Sequence, residues 1–400
     1  MTTDLTGTAH GWSAGGDTTP ALPAAPLERA ACLSLLAFAA MLQVSIAAAQ
    51  ILLAIAALLY IAVIIRNHER VEAPSMFWPL AAYGTMTLLS AVRSIDPTVS
   101  LIRCKQLVLF IIVPLVYRLF RGRRALLATD VIISVGALSA TYGIIQYLIL
   151  HYDNLVRRPQ GTLGLNMTYA GLLMLVTCAA AARIMFAKHN RAWAGLVLPA
   201  LVLALVFTFT RSAWVGVSVG IGVLFLLRDF RLLGILPLAF GAFLILAPTS
   251  LTARLYSTFS LTDPSNVDRV AMMKSGWRII KDHPLTGVGP DMIIQVYPHY
   301  RDKTAVNQLN PHLHNVPLQI AAERGIPAML LWLWFIVVLA RDFLRARTSE
   351  IRSISNAGIA AIAAMLAAGL FEYNFGDSEF LMLFLVLVTL PYAAGSRIRA

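Results

Sequence analysis

The hydrophobic pattern of this chain is a series of long apolar runs separated by short polar connections. A helix needs roughly 17 to 25 mostly apolar residues to cross the hydrocarbon core of a bilayer, and about twelve runs meet that length. The first two runs are joined almost without a connection, around Ser45. The pattern therefore predicts an all-α polytopic integral membrane protein. We place the predicted spans at residues 30–46, 47–65, 75–92, 101–119, 124–150, 163–186, 193–210, 212–227, 231–248, 317–341, 353–372 and 378–395.

One polar segment, residues 249–316, is far longer than the other connections. It separates a group of predicted spans within residues 29–248 from a second group within residues 317–396. The predicted fold class is therefore a bundle of about 12 transmembrane helices with one long loop that carries short helices.

The sides of the membrane are assigned from Lys and Arg in the short connections, because such residues are retained in the cytoplasm. Every second connection is basic, and an even number of spans then places both termini inside and residues 249–316 in the periplasm. Residues 1–28 and 397–400 are predicted to be cytoplasmic tails, the first one disordered. The basic residues on this side are Arg66, Arg70, Arg121, Arg123, Arg124, Lys188, Arg191, Arg228, Arg231, Arg341, Arg345, Arg347, Arg352, Arg397 and Arg399.

Composition and charge exclude several classes of protein and of site. With 58% hydrophobic and 13% charged residues, the chain is too apolar for a water-soluble globular protein. The net charge of +12 is largely accounted for by the cytoplasmic connections, so nucleic-acid binding is not supported. Cys32, Cys104 and Cys178 fall within predicted spans, are odd in number and lack metal-ligand spacing. They predict neither a disulfide framework nor a zinc site.

Basic residues on the external side are the first candidates for function, since the positive-inside rule disfavours them there. Arg211 lies in a single turn between two apolar runs, and we interpret it as binding an anionic partner. The alternative is that Arg211 snorkels to lipid phosphates or caps a helix C-terminus. Arg269 is interpreted in the same way, with an ion pair to Asp263 or Asp268 as its alternative. Further external basic residues, for which snorkelling is equally open, are Arg103, Lys105, Arg157 and Arg158.

The long loop contains a predicted amphipathic helix at residues 266–282, with Ser265 or Asn266 as its N-cap. Gly287 and Gly289 follow in a segment that predicts a tight turn near the membrane surface, although a phosphate-cradling role is an alternative. The apolar stripe of the predicted helix consists of Val270, Met273, Trp277 and Ile280.

Two histidines, His312 and His314, mark the place where we expect the chemistry. A histidine near a helix N-terminus tends to stay neutral, and a neutral imidazole accepts a proton from a sugar hydroxyl. The alternative for each is a hydrogen-bonded structural histidine. No third ligand, HExxH or DxD pattern lies near them in the sequence, so no metal is expected. The other external turn carries Glu372, Asp377 and Glu379, and we interpret it as solvated, with hydrogen bonding to a sugar as the alternative.

The spacing from His314 and Asn315 across nine residues to Gly325, and then to Ala328, resembles a signature of membrane glycosyltransferases. That superfamily includes bacterial O-antigen ligases, O-antigen polymerases and protein O-oligosaccharyltransferases. At the position of Ala328 the signature usually has Gly or Thr, which are small residues like Ala. The resemblance extends through residues 210–216 (TRSAWVG), the amphipathic helix and residues 283–289 (HPLTGVG). It covers residues 200–345.

The resemblance implies a GT-C-like enzyme of the bacterial inner membrane, most similar to the ligase that completes lipopolysaccharide. It implies transfer of O-antigen polysaccharide en bloc, with inversion, from undecaprenyl diphosphate to a hydroxyl of the lipid A core. Its partners are then this donor, this acceptor and membrane lipids, with no metal or other cofactor. By the same resemblance His314 is the catalytic base, and Arg211 and Arg269 hold the diphosphate. We count His312 with the catalytic residues, as the group that orients His314 or the acceptor sugar. Further candidates for binding the substrate diphosphate are Arg103, Lys105 and Arg158.

Two other classes of function stay open at this point. One is an enzyme with a different acceptor, either an O-antigen polymerase or a protein O-oligosaccharyltransferase. The other is a transporter of a lipid-linked sugar, which would also explain external arginines. A transporter is expected to have broken spans near the bilayer midplane and often an internal repeat. Neither feature is evident in the sequence.

Overall fold

A computed structural model of the chain describes residues 22–188, 191–346 and 351–395. Outside them lie the predicted tail at 397–400, most of the one at 1–28, and Arg347, Arg397 and Arg399. Within the described residues all regular structure is helical, without any strand. The α-helices are α1 Pro26–Met41, α2 Ile46–Asn67, α3 Phe77–Val92, α4 Pro97–Arg103, α5 Ile112–Leu119, α6 Arg123–Leu148, α7 Asn166–Phe186, α8 Arg191–Phe207, α9 Arg211–Arg228, α10 Ile235–Leu246, α11 Thr249–Tyr256, α12 Pro264–Asp282, α13 Ile293–Tyr300, α14 Val316–Arg345, α15 Arg352–Gly369 and α16 Ser378–Gly395.

Each predicted span coincides with a helix or with a helix joined to a 3-10 turn. Of the helices in the described residues, 7 are long and apolar enough to cross a membrane. The chain is therefore an all-helical, multi-pass membrane protein, as the pattern predicts. The total of about 12 crossings and the GT-C-like architecture stay predictions. The long helices are Ile46–Asn67, Pro97–Leu119, Arg123–Leu148, Asn166–Phe186, Arg211–Arg228, Val316–Arg345 and Ser378–Gly395, and shorter apolar ones are Phe77–Val92, Arg191–Phe207 and Phe230–Leu246.

The centre of the bundle depends on small residues where α9 packs between α7 and α15. A Cβ on Gly220 of α9 would lie 2.7 Å from the Cys178 Sγ and 3.0 Å from the Ala360 carbonyl oxygen. Both distances are shorter than a side chain tolerates, so glycine is what allows these helices to approach so closely. Cys178 is a free, fully buried thiol that fills this contact.

Helix α14 is broken at the point where it meets the long loop. Gly325 has φ 85° and ψ 164°, which no helix adopts, and Pro327 follows without a backbone donor. Such a break leaves carbonyl groups of the first segment without helical partners. The Gly289 amide supplies one partner, since it donates to the Glu323 carbonyl at 2.8 Å. Another part of the loop therefore supplies a hydrogen bond that the break in α14 removes from the helix.

The HPLTGVG segment is the turn that packs onto this break. Gly287 and Gly289 have φ values of 65° and 108°, in the region that favours glycine. A Cβ on Gly287 would collide with the backbone of Glu323. The predicted tight turn is confirmed, and its glycines allow close contact with α14.

The N-terminus of α12 differs from the prediction. Asp263, rather than Ser265 or Asn266, is the N-cap, because its carboxylate accepts from the amides of both residues at 3.1 and 3.3 Å. Pro264 occupies the first turn, where a missing N–H costs nothing. The prediction was wrong because it overlooked that Pro264 is itself a good first helical residue, which makes Asp263 the natural cap.

The apolar stripe of α12 is divided between the interior and the surface. Ile280 is 6% exposed, whereas Val270, Met273 and Trp277 are 51%, 54% and 57% exposed. The buried face of α12 instead consists mainly of short side chains, namely Asp268, Ala271, Met272, Ser275, Gly276 and Ile279. A Cβ on Gly276 would lie 2.7 Å from Leu313, so the short side chains bring α12 close to the histidine loop.

Candidate functional site

The centre of the candidate site is a contact between His314 and Glu372. The His314 Nδ1 lies 3.1 Å from the Glu372 Oε2, and the two side chains are 22% and 16% exposed. An ionised carboxylate only accepts hydrogen bonds, so the Nδ1 of a neutral His314 is the donor. This tautomer leaves the Nε2 lone pair free to accept a proton.

His314 is held at this position by the start of α14. Its φ is 48°, an uncommon value for a residue other than glycine. The next residue, Asn315, caps the helix, because its side-chain oxygen accepts from the Leu318 amide at 2.9 Å. The Asn315 side-chain nitrogen donates to the Leu370 carbonyl at 3.2 Å. One asparagine therefore fixes the helix start and ties it to the turn that carries Glu372.

A buried ionic network fixes the other end of that turn. Arg324 donates to Glu323 at 2.6 Å and to the Tyr373 hydroxyl at 3.1 Å. Gln319 donates to Glu323 at 2.8 Å. Arg324 and Glu323 directly precede the break at Gly325, so the break directs a charged pair towards Tyr373. The expectation that Glu372 lies in a solvated turn is thus wrong, because its side chain is only 16% exposed and pairs with His314, and the nearby Tyr373 hydroxyl is bound by Arg324.

Burial and the neighbouring groups shift the pKa values of Glu372 and His312. Burial raises the pKa of the Glu372 carboxyl and is the largest single effect, but the hydrogen bond from His314, the electrostatic effects of His314 and His312 and the hydrogen bond from the Tyr373 amide together outweigh it, so the net pKa is below the ordinary value. Burial lowers the pKa of His312, and His314 lowers it further. The two imidazole rings lie 4.7 Å apart. His312 is therefore favoured as a neutral ring beside His314.

Arg211 lies at the start of α9, close enough to Arg269 to interact with it electrostatically. Its side chain is 6% exposed and contacts the Ser257 Oγ at 3.1 Å and the Asp263 carboxylate at 3.4 Å. It therefore neither caps a helix C-terminus nor extends freely towards lipid.

Arg269, on α12, connects the arginines to the turn of Glu372. Its Nε donates to the Phe371 carbonyl at 3.2 Å, and its Nη1 donates to the Ser265 Oγ at 3.1 Å. The alternative of an ion pair is not realised with Asp263, which pairs with Arg211. Nor is it realised with Asp268, whose carboxylate accepts from loop amides and asparagines.

Arg254 is a residue that the sequence reasoning missed. It extends from α11, and its Nε lies 3.3 Å from the Phe209 carbonyl, two residues before Arg211. Burial, together with the positive charges of Arg211 and Arg158, lowers the pKa of Arg254 to about 10. The signal was available, since Arg254 also lies on the predicted external side. We call Arg158, Arg211, Arg254 and Arg269 the arginine group.

The remaining predicted diphosphate ligands fall into two sets. Arg158 belongs to the arginine group through its charge on Arg254, although its Nε donates to the Leu155 carbonyl at 2.9 Å. Arg103 forms an ion pair with Asp291 at 2.7 Å, and Lys105 is exposed. In the described part of the chain, no hydrogen bond or ion pair joins either of these two residues to the arginine group.

Glu372 lies close enough to the two histidines to be a third metal ligand. Donor atoms of His312, His314 and Glu372 all lie within 4.8 Å of one another. The interpretation that no third ligand is near the histidines therefore fails in three dimensions, because Glu372 is distant only in sequence. That the reaction needs no metal stays a prediction.

Fold and site together define a class: a multi-pass membrane protein in which a hydrogen-bonded histidine and glutamate lie near a group of arginines. Residues 194–333 match the family model described as O-Antigen ligase. This match includes His314, Arg211, Arg254 and Arg269, and it confirms the resemblance and supports assignment to the O-antigen ligase family. The family suggests a membrane glycosyltransferase of the ligase or polymerase type. No curated protein matches the chain.

Proposed function

We propose that this protein is an inverting glycosyltransferase that transfers O-antigen polysaccharide en bloc from undecaprenyl diphosphate to a hydroxyl of the lipid A core. The observation that carries the proposal is the His314–Glu372 pair beside the arginine group. A reaction of this kind needs a proton acceptor for the hydroxyl and positive charge for the leaving diphosphate. The proposed location is the bacterial inner membrane, with the site open to the periplasm.

In the proposed reaction, His314 acts as general base through its Nε2. The acceptor hydroxyl gives its proton to this nitrogen while its oxygen attacks the anomeric carbon of the donor. The bond from that carbon to the diphosphate oxygen breaks, and its electron pair leaves with undecaprenyl diphosphate. One displacement inverts the anomeric centre. Glu372 stabilises the imidazolium that forms, and release of the proton to solvent restores His314.

The arginine group is proposed to bind the diphosphate. Planar guanidinium groups match phosphate oxygens with paired hydrogen bonds, so neutralisation of the leaving group needs no metal. Asp263 holds Arg211, and the Phe371 carbonyl holds Arg269, while each guanidinium retains further donors. Arg103 and Lys105 are not proposed to bind the diphosphate. Arg103 is paired with Asp291, and among the described residues no hydrogen bond or ion pair joins Lys105 to the arginine group.

Transfer by the purified protein tests the proposal. Donor and lipid A core are mixed in detergent with a chelator and without nucleotide, and the product is followed as a larger glycolipid. We expect His314→Ala to lower the rate on the order of 10² to 10⁴, as for loss of a general base. His299→Ala, which removes an exposed histidine of α13, is the matched control and should retain the rate.

Undiminished product with His314→Ala would refute the proposed role of His314. Extension of the donor's own chain without transfer to the core would identify an O-antigen polymerase instead. Transfer to a protein acceptor would identify a protein O-oligosaccharyltransferase. Movement of the lipid-linked sugar across vesicles without any new bond would leave the transporter as the function.

A further inference from the structure

His312, His314 and Glu372 combine the donor types that borderline divalent cations prefer. Two imidazoles and one carboxylate are the protein ligands of a common kind of zinc site, which keeps its fourth position for water or another ligand. All three donor atoms lie within 4.8 Å of one another, and all three side chains are half-buried. Among the described residues, no other group of three such side chains meets in this way.

The spacing suits a tetrahedral ion after small side-chain movements. With bonds of 2.0 to 2.1 Å, two ligands of a tetrahedral zinc ion stand roughly 3.3 Å apart. His314 and Glu372 are already 3.1 Å apart. The ring of His312 lies 4.7 Å from that of His314. To complete the set, the donor atoms have to approach one another from within 4.8 Å to roughly 3.3 Å.

We propose that Zn²⁺ binds to His312, His314 and Glu372 and inhibits the protein. The inhibitory consequence rests on the proposed role of His314, whereas the binding itself does not. If zinc binds the Nδ1, it replaces the proton shared with Glu372, and that proton moves to Nε2. If zinc binds the Nε2, it occupies the lone pair directly. In both cases the acceptor hydroxyl loses its base.

This inhibition is the opposite of a cofactor requirement. A chelator should leave the rate of metal-free protein unchanged and should restore the rate of zinc-treated protein. A true metal cofactor would give the reverse result, with loss of transfer in chelator and recovery on addition of zinc.

Zinc binding is measured first, by calorimetry on tag-free full-length protein in detergent without substrates. We expect one ion per chain, with binding at least about tenfold weaker in His312→Asn and in Glu372→Gln, since each removes a ligand. His299→Asn removes a histidine outside the cluster and should bind zinc like the wild type. Co²⁺ in place of zinc should give the visible absorption of a tetrahedral site with nitrogen and oxygen ligands.

Inhibition is then measured as the ratio of transfer rates with and without zinc for each variant. We expect the wild type and His299→Asn to be inhibited at the zinc concentration that fills the site, and His312→Asn to need at least about tenfold more. Equal zinc affinity in all variants, or no binding, would overturn the inference. Binding that leaves the rate unchanged or raises it would overturn inhibition.

The two proposals fail in different ways. Zinc binding through the cluster in a protein that transfers no glycan would contradict the proposed function and leave the metal site standing. Transfer that depends on His314 in a protein that binds no zinc would contradict the metal site and leave the proposed function standing.

Discussion

At the residue scale, the candidate site depends on contacts between residues that are far apart in the chain. His314 and Glu372 are separated by 58 positions and yet form a hydrogen bond. Arg254 reaches the backbone next to Arg211 from another helix. Sequence patterns drew attention to His314, Arg211 and Arg269, because an unexplained external charge or imidazole is visible in a chain. Glu372 was interpreted as solvated, because the sequence does not show that its carboxylate pairs with His314.

Glu372→Gln should lower kcat with little change in KM. The amide no longer stabilises the imidazolium, and it also permits the wrong tautomer of His314, so we expect a loss on the order of 10² to 10⁴. Initial rates over a range of acceptor concentrations measure this split. Glu379→Gln, in the first turn of α16, should behave like the wild type. Equal kcat in the two variants would remove Glu372 from the proposed mechanism.

Arg254→Gln should weaken binding of the donor and slow transfer. A removed positive contact to a developing charge costs on the order of 10² to 10³ in rate. Arg254→Lys should recover part of this loss, because it keeps a charge without the planar pair of donors. Donor-dependent kinetics provide the measurement, with Arg301→Gln as a control at an exposed arginine. Identical kinetics in both glutamine variants would exclude Arg254 from the diphosphate site.

At the element scale, the break in α14 determines the architecture of the site. The break at Gly325 presents Glu323 and Arg324 to the turn of Glu372, and the HPLTGVG segment satisfies the freed backbone. The sequence indicated a special role for Gly325 through its spacing from His314. It did not indicate a broken helix, because an apolar run reads as one continuous span.

Gly325→Ala should destabilise the protein and impair transfer. The added Cβ would collide with the carbonyl of Leu285, and the backbone conformation at φ 85° and ψ 164° alone costs about 1 to 3 kcal/mol for a residue other than glycine. Thermal unfolding in detergent should show a lower Tm. Gly195→Ala is the matched control, since a Cβ there meets nothing within 4 Å and alanine favours a helix. A Tm for Gly325→Ala at or above that of Gly195→Ala would contradict this account.

At the scale of the whole molecule, the distribution of charge predicts the orientation in the membrane. Arg118 pairs with Glu28 and Glu69 at 3.0 and 2.8 Å on the predicted cytoplasmic side, so part of the basic charge there also has a structural role. The candidate site lies at the other end of the predicted spans. The orientation in the membrane therefore needs a test of its own, separate from the tests of the candidate site.

Labelling of single cysteines tests the orientation. Cys32, Cys104 and Cys178 are buried and should react slowly, so an introduced cysteine dominates the signal. Lys303→Cys, exposed in the long loop, should react with a membrane-impermeant maleimide in cells whose inner membrane is intact. Arg66→Cys, exposed on the opposite side, should react only after lysis. The reverse pattern would invert the predicted topology.

The sequence by itself determined the helical membrane class, the positions of the helices and the signature around His314. These features depend on local patterns. The length of an apolar run indicates a membrane helix, and the number of residues between His314 and Gly325 can be read directly from the sequence. The tertiary structure decided which side chains meet. Glu372 faces His314, Arg254 joins Arg211, and Arg103 pairs with Asp291 instead. Such contacts depend on how helices pack and where α14 breaks, and pairing across distant segments leaves no trace in hydrophobic periodicity.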